Sequence, residues 1–218
     1  MSAYGALAAW YDALTRDVDY AAFADFYEQC FQQGRGESHT LLDFCCGTGT
    51  LTRLMAARGY EMIATDGSPD MLMQAQAHNA DLPPDAVAPL LLCQEASELD
   101  LYGTVDAAYC SLDGGTFVDE TDDVLCLWRA EFDAAAQTMH YGMDLFTRAG
   151  ELWSRASEEH IEYAHTPELL TRLLTEAGFL DVTVRRDGPQ ADAGRVFLTA
   201  MRSLEYGSET MESTNPVG

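Results

Sequence analysis

Apolar and polar residues alternate in blocks along the first half of the chain, and these blocks predict strands and helices in turn. Four short apolar runs are typical of buried strands: 40–45, 61–65, 87–93 and 105–111. The run at 87–93 is nearly continuous, as expected for a strand covered on both faces. Helical spacing follows over 50–58, and Ser68 with Pro69 begins another helix. Strands that alternate with helices are typical of an α/β fold with a parallel sheet.

The N-terminal segment carries the pattern of two amphipathic helices, over 3–14 and 19–33. In the second helix, apolar side chains recur at helical spacing: Phe23, Phe26, Tyr27, Cys30 and Phe31. An aromatic stripe with this period is more often core than ligand site. We therefore expect these side chains to pack in the core.

Residues 124–163 are predicted to form an antiparallel β insertion. The segments at 124–132, 138–146 and 151–159 show a partial period of two and are joined by short links. A well-capped helix then begins at Thr166 and ends at Gly178.

Strands at 179–186 and 194–202 are expected to finish the central sheet as an antiparallel pair. Residues 204–218 are polar and are expected to be a disordered tail. The remaining chain, 1–203, is long enough to bury one core and is predicted to be one domain.

A glycine-rich turn, residues 45–49, joins the first predicted strand to the helix at 50–58; we call it the elbow. Gly47 and Gly49 allow the backbone to turn tightly and to approach a ligand closely. The following helix directs free N–H groups toward the elbow. Asp66 ends the next strand, where a carboxylate can accept both hydroxyl groups of a ribose. These features predict a nucleoside site at the carboxyl ends of parallel strands.

Two residues indicate which nucleoside this is. A nicotinamide site requires a third glycine, but Thr52 stands at that position. Asp43, just before the elbow, would repel a pyrophosphate. A ligand with an ammonium and a sulfonium group and no phosphate avoids that repulsion, and S-adenosylmethionine is such a ligand. The alternative to a cofactor site is a glycine turn that only connects a strand to a helix in another kind of α/β unit.

The chain resembles class I S-adenosylmethionine-dependent methyltransferases over most of residues 4–202. The resemblance rests on Asp43-Phe44-Cys45-Cys46-Gly47-Thr48-Gly49-Thr50, then Asp66-Gly67-Ser68-Pro69-Asp70-Met71-Leu72. The opening Ala9-Trp10-Tyr11-Asp12-Ala13-Leu14 resembles a small bacterial branch of this family, in which many members have no known substrate. The resemblance to the family implies a Rossmann-like sheet with helices on both faces, and N-terminal lid helices within 1–34.

The resemblance and the strand positions together assign cofactor contacts. Asp43 and the backbone of the elbow would hold the methionine end, Asp66 the ribose, and Gln94 and Glu95 with Met71 the adenine. Tyr11 would help to close the site, and Leu112 would lie beside the methyl group. The predicted cofactor-binding residues are Tyr11, Asp43, Cys45, Gly47, Thr48, Gly49, Asp66, Gly67, Met71, Gln94, Glu95 and Leu112.

The chain departs from the family after Asp113. A parallel strand requires a crossover of a dozen or more residues, and family members carry a helix and a fifth parallel strand here. In this chain Leu112-Asp113-Gly114 leads almost directly into the predicted β insertion. The central sheet is therefore expected to be incomplete.

Charge and cysteine content limit the partners. The formal net charge is −24, from 36 acidic and 12 basic residues, and every basic residue is arginine. Such a surface disfavours nucleic acid and anionic membranes, so we expect a small-molecule substrate. The 6 cysteines show no metal-binding spacing, and we expect them to be reduced in a cytoplasmic protein without a signal peptide, a membrane span or a metal site.

His160 is the candidate catalytic residue, because an imidazole can take a proton from a methyl acceptor near neutral pH. A hydrogen-bonded strand histidine is the alternative. The predicted reaction is in-line methyl transfer to a small molecule, with the acceptor atom and the oligomeric state left open. Two other functions stay open: a decayed relative that binds the cofactor without catalysis, and an NAD-dependent oxidoreductase.

Overall fold

A computed structural model describes residues 4–34, 36–111, 118–120, 123–190 and 194–202, with the backbone alone for 118–120. The chain divides into two compact units, Met1–Ala164 and His165–Gly218. No pattern in the sequence indicated this boundary. Predicted features that lie outside the described residues are Leu112, the junction at 113–114 and the tail at 204–218.

The first unit contains four parallel strands: β1 (Thr40–Phe44), β2 (Glu61–Asp66), β3 (Leu90–Cys93) and β4 (Ala107–Cys110). They lie in the order β3-β2-β1-β4, so β1 is between β2 and β4. Phe44 of β1 lies opposite both Thr65 of β2 and Cys110 of β4. The carboxyl ends of these strands therefore share one edge of the sheet. The predicted Rossmann-like α/β fold is confirmed.

The helices described in this unit are α1 (Tyr11–Leu14), α2 (Tyr20–Gln32), α3 (Thr50–Ala57) and α4 (Pro69–His78), with short 3-10 helices at Asn79–Asp81 and Ala96–Glu98. Side chains cap two of them, because Asp19 accepts a hydrogen bond from Ala22 N and Ser68 accepts one from Met71 N. The predicted core residues Phe23, Phe26 and Tyr27 of α2 are buried, whereas Cys30 and Phe31 are half-buried.

The helix predicted over 3–14 is wrong for most of its length, because residues 4–10 form turns and only α1 is helical. Tyr4, the first described residue, has a left-handed φ of 60°, so a right-handed helix cannot include it. The apolar side chains Leu7 and Ala8 instead pack in a cluster with the β insertion. This tertiary packing overrides the helical pattern.

The β insertion forms an antiparallel sheet, which we call the meander: β5 (Val118–Glu120), β6 (Val124–Asp133), β7 (Thr138–Ala149) and β8 (Leu152–Tyr163), paired in that order. The predicted insertion at about 124–163 is therefore confirmed, and β5 extends it.

One face of the meander, the inner face, is buried. Val124 and Cys126 of β6 and Met143 and Leu145 of β7 form a core cluster with side chains of the N-terminal segment and α4: Leu7, Ala8, Leu14 and Met71. Side chains alternate across a strand, so Glu158, His160 and Glu162 of β8 also belong to this face, opposite Met143, Tyr141 and Met139.

The other face of the meander, the outer face, is held by ion pairs. Asp144 accepts hydrogen bonds from Arg129 at 2.7 Å, from Arg155 at 2.8 Å and from Ser157 at 2.5 Å. These donors keep the pKa of Asp144 well below its usual range. The carboxylate therefore stays charged and joins β6, β7 and β8.

The second unit contains α5 (Pro167–Glu176), β9 (Phe179–Arg185) and β10 (Phe197–Arg202). Thr166 caps α5 by accepting a hydrogen bond from Leu169 N at 3.2 Å, and β9 pairs with β10 in antiparallel fashion, as predicted. The expectation that this pair finishes the central sheet is wrong for the described residues, where it forms a sheet of its own. In the described residues, β4 pairs with β1 and no further strand lies on its other side. The described parallel sheet therefore ends at β4.

The expectation of a strand covered on both faces at 87–93 also needs correction. β3 is shorter and is an edge strand of the described sheet. Leu90 is 55% exposed, so the face of β3 on which it lies is not fully covered by described residues. Across the described ranges, no helix combines the length and the apolar character needed to cross a bilayer.

Candidate functional site

The elbow lies at the carboxyl edge of β1, and its backbone conformation explains its glycines. Gly47 and Gly49 have φ values of 56° and 74°, in the left-handed region that glycine tolerates best. A Cβ atom on Gly49 would lie 3.0 Å from Cβ of Ala75, so α4 packs directly on this glycine. A Cβ atom on Gly47 would meet nothing within 4 Å, so the elbow faces open space there.

Asp66, at the end of β2, fastens the elbow to the neighbouring strand. Its carboxylate accepts hydrogen bonds from Gly47 N and from Ser68 N, each at 2.8 Å. The side chain is half-buried and keeps an exposed portion. This places a carboxylate beside the open side of the elbow, where the sequence predicted it.

Asp43 occupies a different position from the one predicted, because it lies beneath the elbow. It is 2% exposed, and Oδ2 accepts hydrogen bonds from the Thr52 hydroxyl at 2.5 Å and the Tyr109 hydroxyl at 3.0 Å. Burial raises the pKa of Asp43 to about 7, although both hydroxyl donors act against that rise. A direct contact with a ligand does not fit this burial. The carboxyl instead links β1, β4 and α3.

Gln94 and Glu95, the residues predicted to contact adenine, follow β3 directly at the carboxyl edge of the sheet. A Cβ atom on Gly67 would lie 2.8 Å from Oε1 of Glu95, so the Glu95 carboxylate packs against this glycine. The Gln94 amide binds the backbone of Asp100, with both hydrogen bonds at 3.2 Å. Gln94 therefore shapes the loop after β3, while Glu95 keeps an exposed carboxylate next to Asp66 and Gly67.

Asp12 of α1 connects the N-terminal segment to the elbow. Its Oδ1 accepts hydrogen bonds from the Thr48 hydroxyl at 2.5 Å and the Thr50 hydroxyl at 3.3 Å, while Oδ2 pairs with Nε2 of His78 at 3.2 Å. His78 Nδ1 lies 3.1 Å from the Thr48 carbonyl oxygen. Asp12 and His78 thus hold the elbow between α1 and α4, as a lid attachment would.

His160, the predicted catalytic residue, lies on the inner face of the meander. Its Nε2 lies 3.2 Å from Oε2 of Glu158, and its ring stacks on Tyr4 with centroids 4.2 Å apart. Glu158 also accepts a hydrogen bond from Ala6 N at 2.8 Å, and Glu162 accepts one from the Tyr4 hydroxyl at 3.5 Å. We call this group, Tyr4, Glu158, His160 and Glu162, the mouth cluster.

The mouth cluster lies within electrostatic reach of the elbow. Burial, together with the negative charges of Glu162, Asp66 and Glu158, raises the pKa of Tyr4 to about 12. Burial likewise raises the pKa of Glu162. Tyr4 therefore contacts Glu162 and His160 on the inner face of the meander and also interacts with the charge of Asp66.

The chain is similar in sequence to known methyltransferases. Residues 41–130, which contain the elbow, match the family model of a methyltransferase domain. YqeM of Bacillus subtilis, whose name carries a provisional methyltransferase assignment, is 22% identical over 246 aligned residues, covering 92% of this chain and 97% of YqeM. That alignment is longer than the 218 residues of this chain, so YqeM has segments that this chain lacks.

Solved structures show the same fold. The sugar N-methyltransferase KedS8 from Streptoalloteichus aligns with a TM-score of 0.71 at 18% identity, over 88% of this chain and 93% of KedS8. An S-adenosylmethionine-dependent methyltransferase from Clostridium acetobutylicum aligns with a TM-score of 0.66 at 24% identity, over 83% of this chain and 90% of that one. Residues 41–130 thus match a methyltransferase domain, and the described fold is the one found in S-adenosylmethionine-dependent methyltransferases.

Several predicted contact residues of this methyltransferase come together at one edge of the sheet. The structure gathers Cys45, Gly47, Thr48, Gly49, Asp66, Gly67 and Glu95 around the elbow. Met71 needs correction, because it is 3% exposed and packs in the core cluster with Leu7 and Met143. Tyr11 is half-buried against the same cluster. Leu112 lies outside the described residues.

Sequence reasoning missed Asp12, Glu158 and Tyr4. Asp12 stands within the N-terminal stretch that carries the family resemblance, so its position was a usable signal for a contact to the elbow. Tyr4 and Glu158 gave no such signal, because their contacts join the two ends of the first unit and depend on how the meander folds over the N-terminal segment.

Proposed function

We propose that this methyltransferase transfers the methyl group of S-adenosylmethionine to a small molecule bound between the elbow and the mouth cluster. The observation that supports this most directly is the pairing of Asp66 with Gly47 N at 2.8 Å beside an elbow that is open at Gly47. When bound, the cofactor supplies the methyl group and a sulfonium leaving group. Its positive charge suits a site that contains the half-buried carboxylate Asp66 and the exposed carboxylate Glu95.

The roles proposed for the cofactor residues follow from their surroundings. Asp66 accepts the ribose hydroxyl groups, and Glu95 receives the adenine amine next to Gly67. The backbone of the elbow at Gly47 and Gly49 faces the methionine end. Asp43 supports this backbone from below and touches no ligand, because both of its described partners are protein hydroxyls.

His160 is proposed to take the proton released by the methyl acceptor. Glu158 holds Nε2, so Nδ1 is the nitrogen that can receive that proton. Most of the rate comes from alignment and from exclusion of water, since methyl transfer from a sulfonium needs little further chemical help. Tyr4 contributes to both by stacking on the imidazole ring.

The charges on the two faces of the meander indicate which charge the methyl acceptor should carry. On the outer face, Arg129 and Arg155 neutralise Asp144, whereas the described inner face carries Glu158 and Glu162 without an arginine. This arrangement favours neutral or cationic small molecules over anionic ones. KedS8 is named a sugar N-methyltransferase and CalS10 from Micromonospora echinaspora an amino pentose methyltransferase, so amino sugars are suitable first acceptors to test.

A second candidate function is cofactor binding without methyl transfer. It is favoured by the parallel sheet, which ends at β4 in the described residues, and by the greater length of the YqeM alignment. A missing strand removes a wall beside the acceptor but leaves β1, β2 and the elbow in place.

A labelled methyl-transfer assay separates these functions. Protein is incubated with S-adenosylmethionine labelled in the methyl group and a panel of neutral, cationic and anionic small molecules. We expect label in a neutral or cationic product, and we expect Asp66→Ala to form less of it when the cofactor is below saturation. Stabilisation by S-adenosylhomocysteine without any labelled product would support the binding function. Stabilisation by NAD alone would support an oxidoreductase.

A further inference from the structure

Two cysteines meet at the carboxyl edge of the parallel sheet. Cys110 is the last residue of β4 and lies opposite Phe44, so Cys45 is one residue beyond its register partner. Neighbouring strands are about 4.8 Å apart and rise about 3.3 Å per residue, which puts the two Cα atoms roughly 6 Å apart. Disulfide bonds usually join Cα atoms about 4.4–6.8 Å apart, so this separation allows one.

The backbone at Cys45 departs from strand geometry. In a regular strand, Cys45 would point to the face opposite that of Phe44 and Cys110. Cys45 instead has a left-handed φ of 61°, an uncommon conformation for a residue with a Cβ atom. This departure from strand geometry lets the Cys45 side chain turn toward β4, and the neighbouring Cys45 and Cys110 thiols alter each other's pKa. Strain of this kind is found most often at functional positions.

The pair is also accessible. Cys110 is exposed and Cys45 is half-buried, whereas Cys126 is buried in the core cluster. The neighbouring Cys110 thiol lowers the pKa of Cys45, against the effects of burial and of nearby carboxylates. This favours Cys45 as the attacking thiolate, with Cys110 in place as the second thiol.

We infer that Cys45 and Cys110 form an oxidation site that a hydroperoxide converts to an intramolecular disulfide bond. The Cys45 thiolate attacks one peroxide oxygen, the O–O bond breaks, and the departing oxygen takes up a proton, which leaves a sulfenic acid on Cys45. The Cys110 sulfur then attacks the Cys45 sulfur, the S–S bond forms and the S–O bond breaks. The hydroxyl leaves with the proton of Cys110 as water. The two thiols lose two electrons, which the peroxide gains.

The disulfide bond would change the elbow, since Cys45 is its first residue. It would fix the elbow to the tip of β4 and fill space at the edge where the methionine end of the cofactor is proposed to lie. This consequence rests on the proposed function, whereas formation of the bond does not. We expect the oxidised protein to bind S-adenosylhomocysteine at least tenfold more weakly than the reduced protein.

The test treats the full-length protein with hydrogen peroxide and follows disulfide formation by intact mass and peptide mapping. Wild type should lose two hydrogens and yield a Cys45–Cys110 cross-link, and two of its 6 thiols should become unreactive. Cys45→Ser and Cys110→Ser should each prevent the cross-link. Cys93→Ser is the matched control, because Cys93 is an exposed thiol at the end of β3 and should leave the cross-link intact.

Affinity for S-adenosylhomocysteine is then measured by calorimetry before oxidation, after oxidation and after reduction with dithiothreitol. The inference predicts a reversible loss that Cys110→Ser does not show. Sulfenic or sulfinic acid on single cysteines, or a Cys45–Cys46 bond, would overturn it. If the cross-link forms but the reduced protein binds no S-adenosylhomocysteine, the proposed function fails and the oxidation site stands.

Discussion

The elbow and the mouth cluster are built from contacts of very different range along the chain. The hydrogen bond between Asp43 and Thr52 joins residues 9 positions apart in the sequence, and the one between Asp66 and Gly47 joins residues 19 positions apart. In the mouth cluster, the hydrogen bond between Glu158 and Ala6 joins residues 152 positions apart, and the one between Tyr4 and Glu162 joins residues 158 positions apart. The elbow is therefore set by local chain geometry, whereas the mouth exists only once the meander has packed on the N-terminal segment.

This difference separates the roles of the two regions. The elbow is held by the 2.8 Å hydrogen bond from Gly47 N to Asp66 and by the packing of Gly49 against α4. The mouth depends on a core cluster of apolar side chains beneath it, with Met143 0% exposed at the centre. Changes in the elbow should affect cofactor affinity, and changes under the mouth should affect stability and acceptor choice.

The largest expected effect is the pH dependence of stability that Asp43 causes. Folded Asp43 holds its proton up to about pH 7, whereas the unfolded chain releases it near the ordinary value of 3.8. Between these values the folded state binds more protons, so the free energy of unfolding falls by about 1.4 kcal/mol per unit as pH rises. The contribution is complete below the unfolded pKa and lost above about pH 7.

Urea unfolding of wild type and Asp43→Asn across this pH range measures the effect. Asparagine keeps an oxygen acceptor but has no proton to release, so the difference between the two curves isolates Asp43. Acids with lowered pKa, such as Asp144, contribute an opposite slope that is common to both proteins. Parallel curves would show that Asp43 ionises normally beneath the elbow.

Met143→Ala probes the mouth region from below. Removing a fully buried methionine leaves a cavity between the meander and the N-terminal segment, and we expect a loss of roughly 3 kcal/mol in the free energy of unfolding. Met73 of α4 is 67% exposed, and Met73→Ala should change stability by less than about 0.5 kcal/mol. Equal effects of the two variants would contradict the packing described for the inner face.

Asp66→Ala should weaken S-adenosylhomocysteine binding at least tenfold, or about 1.4 kcal/mol, because it removes the proposed ribose contact and frees Gly47 N. Calorimetric titration gives the affinity. Glu61→Ala is the control, since Glu61 is exposed at the opposite end of the same strand. An affinity that is unchanged in Asp66→Ala would remove Asp66 from the cofactor site.

Asp12→Ala should have the smallest effect on this affinity, roughly threefold. The change breaks the link from α1 to Thr48 and His78 but leaves the elbow and Asp66 intact. Asp17→Ala, an exposed change just after α1, should leave the affinity as it is. A loss as large as that of Asp66→Ala would mean that the lid attachment, and not the elbow alone, sets cofactor affinity.

The sequence was sufficient for features that depend on spacing within one segment. Gly47, Gly49 and Asp66 were predicted because a strand, a turn and a helix fix their relative places. The burial of Asp43 was not predicted, although its partner Thr52 had been singled out for a different reason. An acid at the end of a strand can face a ligand or a buried hydroxyl, and only the packing of α3 and β4 decides between them.

The N-terminal segment and the mouth show where spacing was insufficient. The pattern at 3–14 fitted a helix, but packing of Leu7 and Ala8 with the meander holds most of that segment as turns. The partial period of two predicted the antiparallel meander. It carried no information on which segment would cover the inner face, so Tyr4 and Glu158 could not be found from the sequence.

Calorimetric titration of the wild-type protein with S-adenosylhomocysteine is the most direct test of the central claim, that the elbow and Asp66 form an adenosyl cofactor site. Saturable binding of one ligand per chain, accompanied by a higher Tm, is the predicted result. Titration without binding heat, together with an unchanged Tm at high ligand concentration, would contradict it.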